Sequence, residues 1–121
     1  MWRTPFAVAG QAWVDLVSID AAGNVAVAGS NAVARADSVM LDFQWWAGKL
    51  VGGCGALGWL DHFAGPFLPT YNSDLDMVDA LAVAGNGAVF AGGQIQVAEW
   101  TSQTRLVKFL TTDGQPLPVC P

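Results

Sequence analysis

AAGNVAVAG, residues Ala21–Gly29, and GNGAVFAG, residues Gly85–Gly92, are the two stretches on which the fold turns. Each places a Gly/Asn turn, where a positive φ costs little, before a run of small and β-branched residues. Laid over one another by their endings, Val27-Ala28-Gly29 on Phe90-Ala91-Gly92, they match at an offset of 63 (27 to 90). Upstream, WVDLVSI (Trp13–Ile19) matches DMVDALAV (Asp76–Val83) as a short apolar run leading into the turn. Downstream, SVMLDF (Ser38–Phe43) falls on TRLVKF (Thr104–Phe109) at an offset of 66 (38 to 104). The same offset sets Gly48 on Gly114 and Cys54 on Cys120. One loop length change between Gly93 and Thr104 reconciles the two offsets, the ordinary way in which repeats drift.

Each unit therefore predicts four short strands. The first covers Trp13–Ile19 or Met77–Val83, and the second Val25–Gly29 or Ala88–Gly92. The third covers Ser38–Phe43 or Thr104–Leu110. A turn at Ala47-Gly48 or Asp113-Gly114 leads to a fourth strand near Leu50 or Leu117. Alternating runs joined by Gly-rich turns make an antiparallel meander. The expected fold is all-β: two four-stranded antiparallel blade-like units, with helix under about 10% of the chain. The first unit spans residues 1–55, an aromatic-rich connecting loop 56–75, and the second unit 76–121. Val25, Val27, Leu41 and Phe43 are expected to meet Val83, Val89, Leu106 and Phe109 across one interface.

The patterns AAGNVAVAGS and RLVKFLTTDGQ resemble the bacterial SBBP and delta-60 repeats that build β-propellers. The resemblance covers about two-thirds of the chain. Asp42 stands where the repeat carries a basic residue, and Ala56 to Leu75 is long for a connection between blades. What the resemblance implies is an incomplete propeller, since two blades do not close a ring and propellers usually hold four to eight. The expected partners are further blades or copies of the chain itself. An extracellular or cell-surface bacterial setting also follows from the resemblance.

Composition narrows the function. The net charge is −5, and the five cations Arg3, Arg35, Lys49, Arg105 and Lys108 are scattered, so no basic stripe is present to neutralise phosphates. Nucleic acid is not an expected partner. Met1 to Gly10 holds one Arg and an apolar run broken by Pro5, which is not the pattern of a signal peptide. Trp45 to Leu60 is apolar but carries Lys49 and several glycines and is too short for a membrane span. Cys54 and Cys120 match no zinc pattern. As equivalent points on neighbouring blades they are expected to be too far apart to pair, because bridged Cα atoms lie within about 7 Å.

Four groups of residues could carry chemistry. Gly53-Cys54-Gly55-Ala56-Leu57-Gly58 is a formal dinucleotide fingerprint, and that reading needs a helix directly after it. Asp61-His62 could orient a general base, but no serine or second metal ligand lies near. Asn72, Asp74 and Asp76 alternate as in an EF-hand, yet Met77 stands where Gly is needed and Val83 where the bidentate Glu belongs. Asp74, Asp76 and Asp79 are left as candidates for a looser calcium site. Finally, Trp59, His62, Phe63, Tyr71 and Trp100 are the candidate ligand-binding residues, suited to a flat sugar face or a peptide. The competing expectation is that Trp59, Phe63 and Phe67 fold back to cover an exposed blade face.

No catalytic residue and no cofactor are expected. The expected function is a non-enzymatic β-propeller repeat module, a binding or structural scaffold and part of a longer array. One alternative is a small lectin-like protein that closes a propeller by homo-oligomerisation. A nucleotide-binding enzyme using Gly53–Gly58 is the other.

Overall fold

The computed structural model describes residues 1–5, 8, 10–34, 41–63, 74–98, 101–109 and 117–121. No helix occurs among them. The strands are β1 (Gln11–Ile19), β2 (Val25–Ala34), β3 (Leu41–Leu50), β4 (Leu57–Phe63), β5 (Asp74–Leu75), β6 (Met77–Val83), β7 (Val89–Ala98) and β8 (Thr101–Phe109). The first sheet is antiparallel in the order β1-β2-β3-β4, and the two-residue β5 pairs parallel to β3. The second sheet is β6-β7-β8, also antiparallel. The all-β expectation holds at this level.

The two hairpin turns are built alike. In the first, the Gly23 amide donates to the Asp20 carbonyl at 3.0 Å and Gly23 has φ 85°. In the second, the Gly87 amide donates to Ala84 at 2.8 Å and Gly87 has φ 86°. A turn whose fourth residue is left-handed matches the strand twist and selects glycine there.

A bulge follows in each hairpin. Asp15 is the extra residue opposite Gly29, and Asp79 is the extra residue opposite Gly93. The bulge brings the Trp13 carbonyl over Gly29 and the Met77 carbonyl over Gly93, where a Cβ would overlap the backbone. These landmarks all share an offset of 64 (23 to 87, 15 to 79, 29 to 93).

That value corrects the offset of 63 by one position, and in a strand one position reverses the face. Val25 and Val27 thus lie on the face of the first sheet turned away from the second, with Trp46, Leu50, Leu60 and Val8. Leu106 is 75% exposed on the outside of the second sheet. The interface is made instead by Ala26, Ala28, Trp45, Ala47 and Trp59 against Val78, Val89, Ala91 and Phe109.

The third strands also differ from expectation. Leu50 pairs with Val25 as Phe109 pairs with Val89, so the structural offset there is 59 (50 to 109) rather than 66. Ala47-Gly48 lies inside β3, and the turn comes at 51–55, where the Gly55 amide donates to Val51 at 2.7 Å. Residues 57–63, expected within the connecting loop, are β4 of the first sheet. The fourth strand expected near Leu117 is not formed at the described residues 117–121. Leu117 packs instead against the shared core.

We call the side of the first sheet that carries Ala26 and Ala28 its front, and the side with Val25 and Val27 its back. Under the repeat, Val25 and Val27 become Val89 and Ala91, so it is the back of the second sheet that meets the front of the first. Equivalent faces do not meet one another, and the two units stack head to tail.

Candidate functional site

Along β3 two adjacent tryptophans point to opposite faces, as strand geometry requires. Trp46 lies over Gly29 of its own sheet's back and its Nε1 donates to the Ser30 carbonyl at 3.2 Å. Trp45 crosses to the second sheet, lies over Gly93, and its Nε1 donates to the Gln94 carbonyl at 3.2 Å. Ser30 and Gln94 are equivalent positions of the two units, at the same offset as the glycines beside them. One groove design, a bulge beside a bare glycine with a carbonyl at its rim, thus holds an indole twice. Both indoles are fully buried.

Beside this lock sits an ion pair. Lys49, on the front of β3, reaches Asp20 Oδ2 at 3.0 Å, with only 5% and 7% of the two side chains exposed. The same ammonium donates to the Gly87 carbonyl at 2.7 Å, so it ties together the turns of both units. Asp20 Oδ1 also accepts the amides of Ala22 and Asn24, each at 2.9 Å. Burial pushes the Asp20 carboxyl up, but the Lys49 hydrogen bond, the Asn24 amide and the Lys49 charge outweigh it and hold it below the usual carboxylate range. Nothing in the sequence pattern singled out Asp20 or Lys49. Their signal was an Asp at the first position of a turn, the residue that favours it.

The turn at 51–55 collects both ends of the chain. Trp2 Nε1 donates to the Gly52 carbonyl at 2.8 Å, and the Thr4 hydroxyl donates to Gly55. Cys54 and Cys120 form a disulfide, with Cα atoms 5.7 Å apart. The expectation that these cysteines are unpaired is therefore overturned. They are not equivalent points: Cys54 follows β3 within four residues, whereas Cys120 lies eleven residues beyond β8, on a segment that returns to the first sheet.

The Gly53–Gly58 fingerprint acquires a different reading. The strand β4 begins at Leu57, so the helix that would cradle a pyrophosphate is not there. Its glycines make room for the chain ends: Gly53 lies beside Cys120 Sγ, Gly55 under Trp2 and Gly58 under Leu117.

Of the candidate ligand-binding residues, Trp59 and His62 lie on opposite faces of β4. Trp59 is a core residue of β4, stacked on Phe109 with ring centroids 5.9 Å apart, and its Nε1 has no acceptor among the described residues. His62 lies on the back of the same strand, opposite Trp46 in register, and is exposed. Asp61 accepts the His62 backbone amide at 2.9 Å, and neighbours on a strand point to opposite faces, so this pair does not orient the ring. Phe63 pairs in register with Trp45. Phe67, Tyr71 and Trp100 lie outside the described residues.

Of the calcium candidates, Asp76 is buried and accepts the Gln96 amide at 3.0 Å, while Asp79 is the exposed bulge residue. Asp74 pairs in register with Asp42. Among the described residues no three His, Cys, Asp or Glu side chains group as a metal site. Apolar side chains are exposed on both sheets: Val14, Val17 and Ile19 on the back of β1, and Met77 and Leu106 on the front of the second sheet, all stand about half or more exposed. No family model, no curated protein and no solved structure matches this chain.

Proposed function

We propose that the chain is a non-catalytic β-propeller repeat module, a binding or structural scaffold of an exported or surface bacterial protein. The observation that carries this reading is the head-to-tail stacking of two equivalent units, the arrangement that lets blades follow one another round an axis. A sandwich of two-fold related halves would set equivalent faces against each other, and these halves do not. The Cys54–Cys120 disulfide supports an oxidising compartment, because such bonds persist outside the reducing cytosol. The partners in this reading are equivalent units, with a glycan or peptide as ligand.

The test has two arms. The oxidised chain is screened on glycan and peptide arrays, where saturable binding is expected. It is also incubated with a panel of nucleotides and hydrolysable esters, peptides and glycosides, where no turnover is expected. Turnover by the pure chain that disappears on unfolding overturns the non-catalytic reading. Arrays with no saturable hit overturn the ligand-binding part of it.

A further inference from the structure

Each unit has a front and a back, and only one front and one back meet inside the chain. The equivalence of the two units shows what the other two faces are built to do. Val14, Val17 and Ile19 on the back of β1 are 49%, 62% and 67% exposed. Their equivalents in the second unit are Val78, Leu81 and Val83, and all three pack into the inter-sheet core. On the other side, Ala80, Phe90 and Gly92 on the front of the second sheet are equivalent to Leu16, Ala26 and Ala28. Those three pack into the same core from the first sheet. Ala80 is exposed, and Phe90 and Gly92 are half-buried, with Leu106 leaning toward Gly92.

We propose that a second copy of this chain docks head to tail: the β1 back strip of one copy, Val14, Val17 and Ile19, packs on Ala80, Phe90 and Gly92 of the other. This rests on the repeat-module reading and gives its partner. The contact repeats, residue for residue, the β6 part of the interface already made within the chain. It is smaller than that interface. Val8 packs on the back of β2 and β3, against the cluster of Val27, Trp46 and Leu50. Trp46 already fills the groove at Gly29, so a docking copy finds no place for an indole there. Thr104 stands in the second sheet where the first has Trp45, so at that position the docking front brings no indole. The association is therefore apolar, reversible and heterologous. A heterologous contact adds copies until a ring closes, or without limit.

The experiment uses the oxidised full chain and sedimentation velocity over a wide concentration range, with circular dichroism to confirm folding. Wild type is expected to form species that grow with concentration. Ile19→Glu blocks the back strip and Ala80→Glu blocks the front, so each alone is expected to lose association. An equimolar mixture of the two has one working front and one working back. It is expected to give a one-to-one dimer and nothing larger. Should either variant misfold, Val17→Lys and Leu106→Glu, both at exposed positions, replace them. A wild-type chain that stays monomeric overturns the proposal. So do variants that associate undiminished, and so does a mixture that stays monomeric, the mark of a two-fold contact. Array binding by the monomeric variants reports on the scaffold reading separately, so the two can fail independently.

Discussion

The grooves at Gly29 and Gly93 share a backbone design and differ in whose indole fills them. At Gly29 the filler is Trp46, from the neighbouring strand of the same sheet, and the result is a groove closed within its own sheet. At Gly93 it is Trp45, from the other sheet, and the result is a joint between units. Opposite Gly93, at the position equivalent to Trp46, the second sheet carries Arg105, which is exposed and leaves that groove open to the incoming indole. One side-chain exchange thus decides whether the groove is filled from its own sheet or by an indole of the other sheet.

The largest expected effect tests that difference directly. Trp45→Ala and Trp46→Ala should each cost about 3–5 kcal/mol, the range for emptying a buried aromatic site. The Trp45 loss should also uncouple the sheets, so urea transitions followed by fluorescence and by far-ultraviolet circular dichroism separate. In Trp46→Ala they should stay coincident. If both variants lose stability with coincident transitions, the two grooves do not differ in role.

Next in size is the disulfide. It closes a separation of 66 residues and ties the end of the chain to the first sheet beside Leu117 and Gly58. Loop-closure entropy puts its contribution at about 4 kcal/mol at most, less where the released segment relaxes. Replacing both cysteines by serine should lower the urea midpoint accordingly and leave the Trp45 joint intact. An unchanged midpoint would falsify a structural role for the bond.

The ion pair gives a smaller and pH-dependent effect. Asp20→Asn removes a charge-assisted contact and should cost about 1.5–3 kcal/mol near neutrality. Because the folded-state carboxyl is held below its ordinary value, the unfolded chain binds the proton more readily. The contribution of Asp20 is therefore present above about pH 4, the ordinary carboxylate value, and is lost as pH falls through the lower folded value. Stability curves of wild type and Asp20→Asn should converge in acid. Curves that stay parallel down to strongly acid pH would remove Lys49 and Asp20 from the joint.

The smallest effect distinguishes the three indoles buried among the described residues. Trp45 and Trp46 donate hydrogen bonds, while Trp59 stacks on Phe109 with no acceptor for its N–H among the described residues. Replacement by Phe should therefore cost about 1 kcal/mol less at position 59 than at 45 or 46. Thermal melts of the three single variants measure it. Equal losses would mean that the hydrogen bonds to Ser30 and Gln94 carry no net stability.

How much of this was legible in the sequence can be seen residue by residue. The turns at Gly23 and Gly87 and the strand character of 13–19 and 77–83 follow from local preference. A left-handed turn residue selects glycine, and β-branched alternation favours extended chain. The signal for the correct offset was also present. Val14-Asp15 repeats as Val78-Asp79, and Val25 and Gly29 repeat as Val89 and Gly93, all at an offset of 64 (14 to 78, 25 to 89). The endings Val27-Ala28-Gly29 and Phe90-Ala91-Gly92 match more closely to the eye but sit one position out of phase.

Local preference alone specifies an all-β chain of two similar units with glycine turns. Which faces meet is a property of the assembled sheets. The side-chain period of a strand is two, so a single-residue slip exchanges core and surface, and both faces of β2 and β3 are apolar enough to serve as either. The same holds for the pair Trp45 and Trp46, identical in sequence terms and separated only by the sheet that lies on each side. It holds equally for Cys54 and Cys120, whose pairing depends on a chain end returning across the first sheet. Contacts between residues so far apart along the chain leave no local preference to be read.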